Sequence, residues 1–599
     1  MTQRSEDGAD SEEGMQANEV GKPGPGDSNT ATVPERADAG QDATRAARRV
    51  QALHPALQGL LALAVYLAVF IITYAAPLLR HPGVPLIAQT SPDPNFYIWS
   101  WQWWPYAISH GLNPLYSSQI GAPVGYDLAW TTPTAAVTVL LSPLTALIGP
   151  IASFNLTLVL AAPVSAWAAF VAARRLTSRF WAALAAGAVY GFSWYEVGET
   201  AVGHPNLCVI MLLPLMVYLA LLWRDGKLGS RSFVVLLAIA MAAEFYIFNE
   251  TFFWMTVLWA ALLLIGFVVA RPAQRSEVVR LAKLVGVAWV MAMVLASPYL
   301  IYALLHAPAE FSKVLQPDFS LDLRDLVTPW SGIVLLVIVL ALAVFAWRSR
   351  LTRLLVIGFV LVVALTVGPV LVVDGQVLGP VPWQGLWHLL FTRNTEPLRI
   401  IIFANLLLAM IVAVWLAMPA RNRLLLASRW ILGLAAIAGI IAYLPGLQRG
   451  YDIPAAIPAG NPAAIPAGNP AAVVQPTHVL PAFFTSGVYR DYLRRGETVV
   501  VVSDRANAGM LFQAYTNFYM RLSGGFINMT FTDRTSLPVP VAALRRPTPA
   551  RERQFLAYAR HAGVGAIIIE RAWAEPWMDI FGRMGLHGTT VGGVTIYRT

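Results

Sequence analysis

Residues 151–173 read IASFNLTLVLAAPVSAWAAFVAA, and Arg174, Arg175 and Arg179 follow at once. The run holds no charged side chain. It is long enough for a helix to cross the roughly 30 Å hydrocarbon core of a bilayer, which takes about 20 apolar residues. Basic residues collect on the cytoplasmic side, so the arginines give the helix a direction. The stretch reads as a membrane span whose C-terminal end lies inside.

The same reading extends both ways along the chain. Apolar runs at 57–79, 180–195, 207–223, 232–248, 252–270, 284–304, 331–347, 354–373, 399–418 and 430–445 alternate with short loops. With 151–173 they predict an α-helical polytopic membrane protein of about eleven transmembrane helices. With the N-terminus inside, the inner loops take Arg224, Lys227 and Arg231, then Arg271, Arg275, Arg280 and Lys283. They also take Arg348, Arg350 and Arg353, then Arg421, Arg423 and Arg429. The outer loops take few basic residues, among them Arg80, Lys313, Arg324 and Arg393. The run 134–148 is short and broken by Pro143. If it spanned, every later basic cluster would fall outside, so it reads as a re-entrant or interfacial helix within the first outer loop.

Composition agrees. Of 599 residues, 57% are hydrophobic and 13% charged, against about 25% charged in an ordinary soluble protein. Mean hydropathy is +0.58. These values exclude a soluble cytosolic enzyme and a disordered protein. They also exclude a nucleic-acid binder, because the net charge of +9 lies largely in the inner loops. The single cysteine, Cys208, leaves no intramolecular disulfide and no cysteine-based zinc site.

The polar stretch 1–50 is expected to be a disordered cytoplasmic tail. Residues 51–446 form the membrane domain, with a first outer loop at 80–133. A Pro/Ala-rich linker at 447–480 carries the tandem repeat IPAGNPAA at 457–464 and 465–472. Residues 481–599 read as a small extracytoplasmic α/β domain, with strands at 499–502 and 565–569 and a helix at 550–562. It shows no Gly-rich phosphate loop, nucleophile elbow or metal motif.

Candidate chemistry concentrates on the outer side. In SPDPNFYIWSWQWW at 91–104, Asp93 stands between Pro92 and Pro94. A carboxylate in a stiff turn beside an aromatic helix is placed to take a proton from a hydroxyl. It is equally placed to start a helix as its N-cap. Tyr97, Trp99 and Trp103 read either as an interfacial anchor or as an aromatic wall for a lipid-linked substrate or sugar ring. Asp127, in a Gly-rich loop, is a second candidate acid. An outer segment with no basic residue, YEVGETAVGHPN at 195–206, offers Glu196, Glu199, His204 and Asn206 for a sugar hydroxyl or a divalent cation. Its spacing matches no metal motif. Glu244 and Glu250 stand in EFYIFNET, and Glu244 falls inside an apolar span, where an ionisable group is costly. In FTRNTEPLRI at 391–400, Arg393 and Arg399 read either as grips on a lipid phosphate or as ion-pair partners of Glu396.

An aspartate in the first outer loop, an aromatic helix, a second short helix and then many spans together resemble the GT-C superfamily of integral-membrane glycosyltransferases. More closely, they resemble a bacterial, largely actinobacterial set of GT-C membrane proteins. The stretches that carry this are SPDPNFYIWSWQW, GLNPLY, GAPVGYDLAW, ARRLTSRFWAALAAGAVYGFSWY, GHPNL, RNTEPLRI and GMLFQAYTNFYMRLSGGF. The resemblance implies a polyprenyl-phosphate-linked sugar donor and a cell-envelope glycan, lipid or protein acceptor at the outer face of a bacterial plasma membrane. It implies an inverting transfer that is metal-independent or assisted by a divalent cation. By position Asp93 matches the loop acid that serves as catalytic base, and Arg393 or Arg399 fits the lipid-phosphate role. Tyr97, Trp99, Trp103, Glu199, His204 and Glu250 join them as candidate substrate-binding residues. Many members pair two acids in the first loop, whereas here only Asp93 has the expected context, and that bears on metal dependence. A transporter or flippase and a non-catalytic envelope scaffold are the competing classes.

Overall fold

The computed structural model describes residues 50–51, 53–75, 93–307, 320–327, 330–388, 395–420, 422–448, 480–503, 507–525, 539–542, 544, 547–570 and 574–599. Leu53–Thr599 forms one unit and Met1–Ala52 another. Arg393, the tandem repeat, nearly all of the linker and tail, and residues 76–92 of the first outer loop lie outside the described residues.

Each of the eleven apolar runs falls on a helix over most of its described length, although 354–373 ends in a strand at Val370–Val373 and 207–223 begins in a separate turn of helix at Pro205–Cys208. In chain order the helices are α1 (Pro55–Phe70), α2 (Asp93–Ser109), α3 (Ala135–Leu140), α4 (Ser142–Ile148), α5 (Pro150–Thr177), α6 (Phe180–Gly191), α7 (Trp194–Val202), α8 (Leu212–Arg224) and α9 (Ser230–Ile247). They continue as α10 (Asn249–Val269), α11 (Pro272–Leu305), α12 (Ser331–Ala346), α13 (Arg350–Thr366), α14 (Ile401–Ala417) and α15 (Arg423–Gln448). Among the described residues, eight helical segments are long and apolar enough to cross a membrane. The remaining three runs correspond to α6, α12 and α13, of 12, 16 and 17 residues. The run 134–148 divides into α3 and α4, each far too short to cross.

Helices α5 and α14 are buried along most of their length, while α1, α10 and α11 expose most of theirs. Helix α6 is rich in Ala and Gly, and its small residues let it lie close against α5. A Cβ on Gly191 would stand 2.5 Å from the Ala166 backbone nitrogen. Helix α14 is apolar all round, as a helix surrounded by others should be.

The C-terminal part is a five-stranded sheet in the order β6-β5-β7-β9-β8. The strands are β5 (Thr498–Val502), β6 (Arg521–Leu522), β7 (Val564–Glu570), β8 (Gly588–Val591) and β9 (Val594–Arg598). Two small hairpins precede them, β1 (Tyr116–Ser117) with β2 (Tyr126–Asp127), and β3 (Val370–Val373) with β4 (Gln376–Pro380). Strand β5 runs parallel to β6 and β7, while β9 runs antiparallel to β7 and β8. The helices of this part are α16 (Ala508–Tyr515), α17 (Pro549–His561) and α18 (Ala574–Arg583). Val500, Val502, Phe555, Ile567, Ile569, Trp577 and Phe581 close its core.

This sheet does not stand apart from the membrane helices. The Leu522 amide donates to the Gln119 carbonyl at 2.8 Å, and the Ala122 amide donates back to the Leu522 carbonyl at 2.9 Å. The Gly121 amide donates to the Gly524 carbonyl at 3.1 Å. A piece of the first outer loop thereby pairs with the β6 edge and covers an otherwise open sheet margin.

Candidate functional site

Asp93 opens α2, where an acid is favoured by the helix dipole. Helical spacing then divides the aromatic side chains between two faces. On one face the Tyr97 hydroxyl donates to Asn206 Oδ1 at 2.5 Å and lies 3.0 Å from Thr132 Oγ1. On the same face Trp101 meets the Phe154 ring of α5 edge-on at 5.5 Å. On the other face Trp99, Trp103 and Tyr106 pack around Phe518 of the C-terminal part, at 5.8, 5.5 and 4.6 Å. Trp99 donates its indole N–H to Gln513 Oε1 at 2.7 Å, and Trp103 donates its own to the Pro114 carbonyl.

The tryptophans are packed into protein. Trp99 and Trp103 are each 1% exposed with satisfied indoles. Their rings fasten α2 to the C-terminal domain. Tyr97 is likewise buried, and its contacts are to protein groups.

What stands near Asp93 comes from α7. Ser193 caps that helix by accepting from the Glu196 amide. Gly203 ends it at φ +82°, where L side chains are strained. A Cβ there would lie 2.9 Å from Pro94 Cγ, so glycine also permits the close approach of α2. The turn brings His204 back over Glu199. His204 Nδ1 lies 2.7 Å from Glu199 Oε2, and Nε2 lies 3.1 Å from Asp93 Oδ2. The result is a carboxylate–imidazole–carboxylate chain joining α2 to α7. Burial opposes a charge on His204, but hydrogen bonds to Asp93 and Glu199 outweigh it and carry the pKa up to about 10. At neutral pH the imidazole is a cation donating from both nitrogens.

A second cluster adjoins the first. Arg399 donates to Glu250 Oε2 at 2.6 Å from Nη1 and contacts Glu396 Oε1 at 2.8 Å from Nη2. The Glu396 amide donates to Glu250 Oε1 at 3.1 Å, and the guanidinium lies over the Phe248 ring. Of the two readings open for Arg399, the structure shows the ion pair, and it adds Glu250 to Glu396. Burial pushes Glu396 up to about 7, with Arg399 pulling against it; Glu250, Glu199 and His204 also act on it. The Tyr195 phenol is raised by burial and then by Glu199, and it also feels Arg399, Glu396 and Glu250. Tyr195 thus stands within the field of both clusters.

Glu196 is fully buried, and neither of its oxygens has a hydrogen-bond partner among the described residues. Burial raises its pKa well above the usual carboxylate range. Glu244, inside α9, is 1% exposed and likewise has no partner there. Asp127 lies on β2. Both ring nitrogens of His204 are taken by carboxylates. No group of three or more His, Cys, Asp or Glu side chains among the described residues is arranged to hold a metal ion.

Sequence reading missed Gln513. Its side chain is fully buried and joins three segments, accepting from Trp99 and donating to the Gln119 and Met520 carbonyls at 2.7 and 2.8 Å. The only signal was a lone amide inside the apolar run MLFQAY.

No family model and no curated protein sequence matches the chain. Solved structures do. An arabinofuranosyltransferase from mycobacteria superposes with a TM-score of 0.52 at 16% identity over 91% of this chain. The match covers 42% of that protein, so this chain spans less than half its length. An oligosaccharyltransferase from Archaeoglobus fulgidus, solved with an inhibitory peptide and a dolichol-phosphate, gives 0.51 at 9% identity over 90% of this chain and 74% of its own. Its apo form gives 0.53 at 10% identity, over 86% and 69%. The chain has the GT-C fold of these membrane glycosyltransferases.

Proposed function

We propose that the protein is a membrane glycosyltransferase that moves a sugar from a polyprenyl phosphate to a cell-envelope acceptor on the outer face of a bacterial plasma membrane. The observation that carries this is Asp93. Its side chain is 43% exposed, yet it is tied to His204 at the junction of α2 and α7. The GT-C fold supports the reading, and so does the sequence asymmetry of the basic loops, which puts Asp93 on the outer side.

In this reading the acceptor hydroxyl oxygen attacks the anomeric carbon of the donor. Its proton passes to the Asp93 carboxylate. The bond between anomeric carbon and phosphate oxygen breaks, and its electron pair leaves with the lipid phosphate. His204, 3.1 Å from Asp93 Oδ2, fixes its orientation, while Glu199 holds the far side of the ring. Negative charge grows on the phosphate as it leaves, and a guanidinium nearby lowers that barrier. Arg399 is the candidate guanidinium, and Glu250 and Glu396 hold it in place. Trp99 and Trp103 serve by holding α2, and with it Asp93, against the C-terminal domain.

Loss of a general base costs about 10²–10⁴ in rate. A deletion strain should lack one envelope sugar and accumulate its lipid-linked donor. Asp93→Asn should leave both defects in place at normal protein levels. Full restoration by Asp93→Asn would overturn the enzyme reading. The unpartnered Glu244 inside a span favours one competitor, a transporter. In that case Glu244→Gln, and not Asp93→Asn, would reproduce the deletion.

A further inference from the structure

A cavity of about 470 Å³ lies between α9, α10 and α11. That is within the roughly 300–1,000 Å³ of small-molecule sites. Two helical stripes form its walls, Thr256, Leu263 and Phe267 on α10 and Ala282, Gly286 and Trp289 on α11. It begins at the corner where α10 turns into α11 and ends beside Thr256. At the deep end the Trp289 indole donates to Thr256 Oγ1 at 3.2 Å, and Thr256 donates to the Phe252 carbonyl. With those groups satisfied among themselves, the floor offers no polar handle.

The corner end has the opposite character. Arg275 lies 5.1 Å above the Phe267 ring, at the cavity's mouth. Arg280 donates to Ser230 Oγ and lies 5.6 Å from the Trp223 ring. Arg271 and Lys283 are exposed on the same turns of chain, with Glu277 the acid among them. Cations beside the corner and an interior that is predominantly apolar match an anionic headgroup on a hydrocarbon chain.

The length selects the chain. From Thr256 to Phe267 a helix rises about 16 Å, roughly half of the roughly 30 Å hydrocarbon core. That depth fits one acyl chain of one leaflet. A polyprenyl chain would be far longer than the cavity. The geometry points to a binding site for an anionic diacyl phospholipid in the leaflet that meets the α10–α11 corner, with its phosphate at Arg275 and one acyl chain in the cavity. This site is separate from the proposed reaction and does not depend on it.

Gly286 makes the test clean, because a Cβ built there meets nothing within 4 Å. Gly286→Phe adds a ring at the cavity wall. Arg275→Gln removes the cation that lies over the Phe267 ring and leaves the cavity walls unchanged. The full chain, purified in detergent, is equilibrated with phosphatidylglycerol or with phosphatidylcholine of the same acyl length, and retained lipid is counted by native mass spectrometry. Wild type should retain phosphatidylglycerol about fivefold more than phosphatidylcholine, the effect expected of about one cation. Arg275→Gln should bring the two lipids level, and Gly286→Phe should lower retention of both. Equal retention of the two lipids by wild type would overturn the proposal. So would unchanged retention in Gly286→Phe, or a dimer in place of bound lipid that Gly286→Phe dissolves.

Discussion

Replacing His204 with Gln tests the charge on the imidazole. The ring sits between Glu199 at 2.7 Å and Asp93 at 3.1 Å, and its pKa stands at about 10. A group whose pKa is raised on folding contributes stability that is complete below its unfolded value, about 6.5 for histidine. That contribution is lost as pH climbs through the folded value, here about 10. The gap corresponds to about 5 kcal/mol at about 1.4 kcal/mol per tenfold. The Asp93 side chain is 43% exposed, so water screens one of the two bonds. About 2–3 kcal/mol is the realistic expectation. Thermal unfolding midpoints of wild type and His204→Gln, measured in detergent from about pH 6 to about pH 10, read the difference directly. Gln keeps one hydrogen bond and does not titrate. The advantage of wild type should be largest near pH 6.5 and shrink steadily toward pH 10. A flat difference, or one already lost between about pH 6 and pH 7.5, would mean a neutral imidazole and refute the charged bridge.

Three further substitutions probe the frame around the site. Arg399→Met leaves the Glu250 carboxylate, 11% exposed, without its cation, and should cost about 3–5 kcal/mol in thermal unfolding. Adding Glu250→Gln should recover part of that loss, and no recovery would separate the two residues energetically. Gln513→Ala strips the Trp99 indole of its acceptor and should cost about 1–3 kcal/mol. Hydrogen exchange should then rise in 508–525 and in α2 together, whereas a rise in only one would show that they are not coupled. Gly191→Ala forces a Cβ against Ala166 and should cost about 1–3 kcal/mol by overpacking. Gly266→Ala, inside α10 where a Cβ meets nothing within 4 Å, is the control and should not lower the melting temperature.

The helices were legible because lipid imposes a simple rule, that an apolar run of bilayer length must satisfy its own backbone. Pro143 marked the run at 134–148, which divides into two helices too short to cross. Strands β5 and β7 were legible for a related reason, since Val499–Val502 and Ala566–Ile569 are buried on both faces. Asp93, Glu199 and His204 were picked out separately as residues near the outer surface. Their union was not visible, because a separation of 111 positions between Asp93 and His204 leaves no periodic trace. Arg399 and Glu250 are 149 positions apart, and the same holds for them. Trp99 and Trp103 read either way in the sequence because an aromatic side chain has the same composition whether it buries against a ligand or against another domain. The Gln513 amide that distinguishes the two cases is more than four hundred residues downstream.

The strand-like pairing of Gln119 and Ala122 with Leu522 has a consequence for biosynthesis. Helix α2 leaves the ribosome long before the segment that covers its tryptophans, since domains are generally completed from the N-terminus during synthesis. Through the insertion of every later span, those aromatic rings must be sheltered by lipid or by a chaperone. A chain that terminates early would carry them uncovered to the end, a mark by which quality control could distinguish an unfinished protein from a complete one.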